Sequence, residues 1–194
     1  MWRDYFPRGV IAGLDINPVD IQDPSGRIRV YQGRQQDKAC LDRIAREVAP
    51  DGFDIIIDDA SHIGQLTRIS FWHLFQNHLK SGGYYVIEDW GTGYWKSWPD
   101  GHEYSQITLK SPWSIMEYLA REKLGLKSFE VPFVNGYQKR FPSHDYGMVG
   151  VIKEIIDECG MGDITHEQYG TPPFRPSRIK KMHISHGLVI VIKA

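Results

Sequence analysis

Three apolar runs that each end in carboxylates constrain this chain more than any other feature. Residues 9–16 read Gly-Val-Ile-Ala-Gly-Leu-Asp-Ile and break at Asn17-Pro18. Residues 53–57 run straight into Asp58-Asp59, and 84–87 run into Glu88-Asp89. Short continuous apolar runs bounded by turn formers are buried strands. Between them, Leu41, Ile44, Ala45 and Val48 fall at helical spacing and predict a helix over 37–48. Leu66, Ile69, Phe71, Trp72, Leu74, Phe75 and Leu79 predict a second helix over 65–79, stopped by Gly82-Gly83. A further strand is expected over 27–31. Strands alternating with helices at this spacing imply right-handed βαβ units, hence an α/β fold whose sheet is mostly parallel.

The rest of the chain is less regular. Residues 90–112 carry Gly91, Gly93, Pro99, Gly101 and Pro112 and read as one long loop, with a helix over 114–124 after it. An apolar stretch over 148–156 predicts a helix ended by Gly160. Pro172, Pro173 and Pro176 mark an irregular link. The chain then closes in an antiparallel hairpin, 179–185 and 188–192, turning at His186-Gly187.

Composition narrows the function classes. With 194 residues the prior is one domain over 1–194, long enough to bury a core. Lys plus Arg number 23 and Asp plus Glu 24, so no global positive field draws the chain to nucleic acid. No apolar run reaches the length of a membrane span, and residues 1–7 do not read as a secretory signal. Cys40 and Cys159 stand alone, without a CxxC pair. The expectation is a cytoplasmic protein with neither nucleic-acid nor membrane partners.

Open α/β sheets bind ligands beyond the carboxyl ends of their strands, which is where these acids fall. A carboxylate at Asp15 could accept hydrogen bonds from the ribose hydroxyls of a nucleotide cofactor, nicotinamide or S-adenosylmethionine alike. Residues 33–37, Gly-Arg-Gln-Gln-Asp, offer amides suited to a purine edge, or a plain loop with an N-cap. Neighbouring parallel strand ends lie about 5 Å apart, so Asp59, Glu88 and Asp89 can converge. Converging carboxylates repel one another unless a cation joins them, and hard oxygen donors suit Mg²⁺. His62 follows Asp59 by three residues. Imidazole as a side-chain type serves as a base near neutral pH, although a helix-capping histidine is the plainer alternative. His73 and His78 are expected as surface or packing residues, and His102 and His144 in loops that could line a pocket. No HExxH or GxSxG occurs.

Several segments together resemble the macrocin and mycinamicin sugar O-methyltransferases. They are residues 2–7 (Trp-Arg-Asp-Tyr-Phe-Pro), 14–16, 32–37, 57–62 (Ile-Asp-Asp-Ala-Ser-His), 86–89 (Val-Ile-Glu-Asp) and the final hairpin. The resemblance implies a Rossmann-like class I methyltransferase sheet that uses S-adenosylmethionine and Mg²⁺. It implies that Asp15, Gln35, Gln36 and Asp58 contact the cofactor, with Asp58 near its methionine end. It further implies that Asp59, Glu88 and Asp89 hold Mg²⁺ and that His62 is the general base. The acceptor would be a hydroxyl on a sugar or glycosylated natural product, and a homo-oligomer is compatible with the family. Trp90, Tyr94, Trp95 and Trp98 would form a lid over that acceptor. Two departures stand out. The family's first strand and Gly-rich turn precede the segment matching Trp2, so the sequence reads as an N-terminally truncated domain with an unfilled sheet position. Arg34 stands where an acid is expected.

Other readings share parts of this pattern. They are a catechol-type or cephalosporin-pathway-like methyltransferase, a non-catalytic remnant of the fold, and a nicotinamide dehydrogenase. The last is disfavoured because no GxGxxG is present.

Overall fold

The computed structural model describes residues 2–110, 143–166 and 170–194. Its elements in chain order are α1 (Trp2–Tyr5), β1 (Ile11–Asp15), β2 (Ile28–Gln32), α2 (Lys38–Val48), β3 (Phe53–Asp58), α3 (Gly64–Asn77) and β4 (Leu79–Glu88). A 3₁₀ turn (Trp90–Tyr94), α4 (Pro99–Lys110), α5 (Gly147–Cys159), α6 (Met161–Thr165), β5 (Ile179–Ser185) and β6 (Leu188–Lys193) follow. The helix expected over 114–124 lies outside the described residues. Among those described, no helix is long and apolar enough to cross a membrane.

The strands form two ladders: β1 pairs with β2, and the other four run β3-β4-β6-β5. The β1–β2 and β3–β4 pairings are parallel, as βαβ connectivity requires. The terminal hairpin adds its strands antiparallel, β6 against β4 and β5 against β6, so parallel character is confined to half of the pairings. β4 is flanked on both sides, and Tyr85 and Ile87 on it are fully buried. Phe71 and Phe75 of α3 pack onto them, with Phe71 edge-on to Tyr85 at a centroid distance of 4.8 Å. Met148, Val151, Ile152 and Ile155 of α5 complete the core. β1 and β3 each keep an edge unpaired among the described residues, and Ile55 and Ile57 of β3 are exposed.

The predicted strands and the helices α2, α3 and α5 are present, with ends moved by a few residues. α2 is capped as its sequence suggests, the Asp37 side chain accepting from Cys40 N–H. Three expectations need correction. The helix over 65–79 ends at Asn77, and β4 begins at Leu79 and passes through Gly82-Gly83 rather than starting at Tyr84. Gly82 takes φ +76°, so the glycine pair bends a strand instead of separating two elements. The segment 90–112 is no open loop over its described part. Pro99 opens α4, where its fixed φ and missing N–H suit the first helical turn. His102 consequently lies on a helix, not in a loop.

A buried carboxylate ties α5 to β5 across the proline-rich link. Glu158 is 4% exposed. Its Oε1 accepts from Arg175 Nη1 at 2.8 Å and from the Arg178 backbone N–H at 2.9 Å, and its Oε2 accepts from Arg178 Nη2 at 2.8 Å. Arg178 also stacks over Trp72, 4.6 Å from the ring centre. The arginines hold the Glu158 carboxyl well below the usual carboxylate range. A depressed carboxyl stabilises the fold above its unfolded pKa, about 4.3, and that stability is lost as pH falls further. Glu158→Gln is therefore expected to cost about 2 kcal/mol at pH 7. It should also flatten the loss of stability below about pH 5. Urea titrations of both proteins across pH 3–7 check both expectations.

Candidate functional site

The site lies where the sequence places its acids, beyond the C-terminal ends of the adjacent parallel strands β3 and β4. Asp59 follows β3, while Glu88 ends β4 and Asp89 follows it. Ligand atoms of Asp59, His62 and Asp89 all lie within 4.8 Å of one another. His62 Nε2 is 3.7 Å from Asp59 Oδ1. Glu88 stands outside that trio. Its carboxyl is nevertheless pushed up, first by burial and then by the negative charges of Asp59 and Asp89. The negative charges of Asp59 and Asp89 are thus felt at Glu88.

The backbone is strained at this point. His62 and Asp89 both have φ near +50°, and they are the only described non-glycine residues with positive φ. Such positions cost on the order of 1–3 kcal/mol and persist only when their surroundings hold them. The surroundings here are specific. The His62 carbonyl accepts from Trp98 Nε1 at 3.1 Å and from Thr92 Oγ1 at 3.5 Å. Ser61 N–H donates to Gln35 Oε1 at 3.1 Å. Asp89 N–H donates to the Gly187 carbonyl at 2.6 Å, so the hairpin turn fixes the far side.

Asp100, which the sequence did not single out, holds the next link. Its buried Oδ2 accepts from Gly64 N–H at 2.8 Å and from Met148 N–H at 2.7 Å. These donors belong to the first turns of α3 and α5, whose N–H groups have no partner within their own helix. A negative charge there also meets both helix dipoles favourably. Gly147 is required beside it: φ is +58°, and a Cβ would lie 2.3 Å from Asp100 Oδ2. Pro99-Asp100 at a helix start is the signal that could have marked it.

The residues expected at the cofactor divide. Asp15 is exposed at the end of β1, its Oδ1 accepting from Asn17 N–H at 2.7 Å. Gln36 is half-buried in the turn before α2. Gln35 and Asp58 sit together in a polar network. Gln35 Nε2 lies 3.5 Å from Asp58 Oδ1, and Asp58 Oδ2 accepts from Ser70 Oγ at 2.9 Å and Tyr85 OH at 3.1 Å. Burial pushes the Asp58 carboxyl up despite these donors. This network joins the β1–β2 unit to the four-stranded sheet. The expected aromatic lid is partly tied down. Trp98 donates to His62, Trp90 Nε1 donates to the Ser185 carbonyl at 3.1 Å, and Tyr94 and Trp95 are exposed. His144 is buried and stacks on Tyr104, with ring centres 4.0 Å apart.

The chain is similar to characterised proteins. The chain is 45% identical over 127 residues to the mycinamicin VI 2''-O-methyltransferase of Micromonospora griseorubida, a match covering 64% of this chain and 31% of that protein. It is 28% identical over its full length to the demethylmacrocin O-methyltransferase of Streptomyces fradiae, covering 38% of it. The solved MycE methyltransferase of the mycinamycin biosynthetic pathway, in complex with Mg and SAH, superposes with a TM-score of 0.59 at 31% identity. That match covers 99% of this chain and 39% of MycE. The chain is thus similar, over the stretch it shares with them, to sugar O-methyltransferases of the macrocin and mycinamicin type. It spans about a third to two-fifths of the length of these relatives. No family model matches it.

Removing the Asp100 carboxylate leaves two buried helix N–H groups unpaired, at about 1–3 kcal/mol each. Asp100→Ala is expected to lower unfolding stability by about 3 kcal/mol. Gly147→Ala should also be clearly destabilising, through the clash with Asp100. Denaturant midpoints for either variant within about 0.5 kcal/mol of the parent, as ordinary surface substitutions give, would contradict this account.

Proposed function

We propose that this chain carries the chemistry of an S-adenosylmethionine-dependent, Mg²⁺-assisted O-methyltransferase acting on a sugar hydroxyl of a glycosylated natural product. The observation that carries this reading is the convergence of Asp59, His62 and Asp89 within 4.8 Å at two parallel strand ends. Similarity to relatives named as sugar O-methyltransferases supports it, as does MycE, whose complexes hold Mg with SAH, one of them also with mycinamycin VI.

The residues present fit a hard divalent cation. Burial and neighbouring negative charge raise the Glu88 carboxyl, so the acids as they stand are in mutual conflict. Oxygen donors from Asp59, Glu88 and Asp89 would hold the ion. When bound, the cation supplies the positive charge that eases ionisation of an acceptor hydroxyl, and S-adenosylmethionine supplies the methyl group.

The chain's own groups do the remaining work. His62 Nε2 accepts the proton of the acceptor hydroxyl as the oxygen takes up the methyl group. Asp59 Oδ1 lies 3.7 Å from that nitrogen. The Trp98 and Thr92 contacts to the His62 carbonyl hold the backbone that carries the imidazole, so its position is set before the acceptor arrives. Asp15, exposed at its strand end, would accept ribose hydroxyls, and Gln36, half-buried in the turn before α2, would meet the adenine. Asp58 and Gln35 hold the cofactor-side loop through their shared network.

One observation favours a second role for His62. Its imidazole lies inside the same trio as the carboxylates, so it could ligate the ion instead of taking the proton. Calorimetric titration with S-adenosylmethionine, with and without Mg²⁺, followed by methyl transfer to glycosylated macrolides, separates the cases. As a base, His62→Ala should lower transfer about 10²–10⁴-fold while Mg²⁺ binding persists. As a ligand, it should weaken Mg²⁺ binding as Asp59→Ala does. Full transfer by both variants would overturn the site.

A further inference from the structure

A second cluster lies at the opposite end of α3 from His62. α3 has 14 residues, so at 1.5 Å per residue about 20 Å of helix separates the two places. His73 is in the last turn of α3, His78 is its C-cap, and Asp42 lies on α2. His73 Nε2 is 2.7 Å from Asp42 Oδ1, and His78 Nε2 is 2.6 Å from the same oxygen. One ligand atom of each residue lies within 4.8 Å of the other two.

We propose that Asp42, His73 and His78 form a binding site for a zinc-type transition metal that clamps α2 to α3. The donor set is two imidazoles and one carboxylate, which suits Zn²⁺ and its neighbours rather than Mg²⁺. Without metal, each Nε2–H donates to Asp42 Oδ1. With metal, each ring takes the tautomer with its proton on Nδ1, so both Nε2 lone pairs and a carboxylate lone pair face a common point. Zn–N and Zn–O bonds of about 2.0–2.1 Å put tetrahedral donors roughly 3.3 Å apart. The two histidine–Asp42 contacts would therefore open by about 0.6–0.7 Å each, within reach of small side-chain torsions.

The surroundings agree with a bound ion. The His73 and His78 side chains are 12% and 18% exposed, and that of Asp42 is 36% exposed. A fourth coordination position can then face water, while the two imidazoles are largely shielded. In the metal-free form His73 Nδ1 accepts from Asn77 Nδ2 at 3.4 Å, a contact that gives way once Nδ1 carries the proton. The location has a structural purpose as well. α2 contributes Leu41 to the core beside Phe71 of α3, and its cap, Asp37, directly follows Gln35-Gln36. A metal joining the two helices would fix the segment that leads from β2 into the cofactor side.

The test uses the whole chain with histidines labelled by ¹⁵N, in excess Mg²⁺, titrated with Zn²⁺ by calorimetry and by imidazole nitrogen resonances. The expected result is one equivalent of Zn²⁺ that moves the Nε2 signals of His73 and His78 and leaves His62 in place. His73→Gln and His78→Gln should each weaken that equivalent by at least about tenfold, with far-UV circular dichroism unchanged. Unmoved His73 and His78 signals, or Zn²⁺ affinity retained in both variants, would overturn the proposal. Should either variant unfold, the wild-type resonances decide alone. Loss of methyl transfer has no bearing on this result, because the readout is at the other end of α3.

Discussion

One carboxylate oxygen, Asp100 Oδ2, joins the elements around the candidate site. It accepts from the first turns of both α3 and α5. α3 begins two residues after His62, and α5 supplies much of the core beneath β4. Helix N-termini carry unpaired donors and partial positive charge, so a buried anion between two of them is strongly held. The position of His62 follows from that hold together with the Trp98 and Thr92 contacts.

The site is also where the backbone departs from its comfortable range. Left-handed conformations at His62 and Asp89 place an imidazole and a carboxylate toward the same point. His and Asp enter this region more readily than most residue types, but it remains uncommon for them. The cost is offset by hydrogen bonds from elements distant in sequence: Gly187 in the hairpin turn, Trp98 before α4 and Gln35 after β2. Strain, like-charge repulsion at Glu88 and rigid support thus occur together, a combination characteristic of functional sites.

Much of the fold is legible in the sequence alone. Period-two and continuous apolar runs mark strands, 3.6-residue spacing marks helices, and both depend on local stereochemistry. Hence β1, β3, α2, α5 and the hairpin fall close to their expected positions. The same local logic failed where one residue type has two uses. Gly82-Gly83 reads as a stop yet lies within β4, because a glycine with positive φ can also bend a strand. Gly91, Gly93, Pro99 and Gly101 read as a loop. Proline at a helix start is favourable, so a 3₁₀ turn and α4 occupy that stretch instead.

The sequence by itself determined which strands end in carboxylates, because strand direction and the placement of ligands beyond carboxyl ends are local and topological rules. Asp59, Glu88, Asp89 and His62 could be named on that basis. Tertiary structure alone decided which groups meet. Gln35 turns toward Asp58 and Ser61, Asp100 reaches two helices, and His73 and His78 converge on Asp42. The last case shows the reason plainly. Residues five apart diverge by about 140° on a regular helix, given 3.6 residues per turn. His78 is the helix cap, with φ −130° and ψ −5°, and its partner Asp42 comes from another element. No periodicity encodes a contact that depends on how one helix ends and where a second one packs.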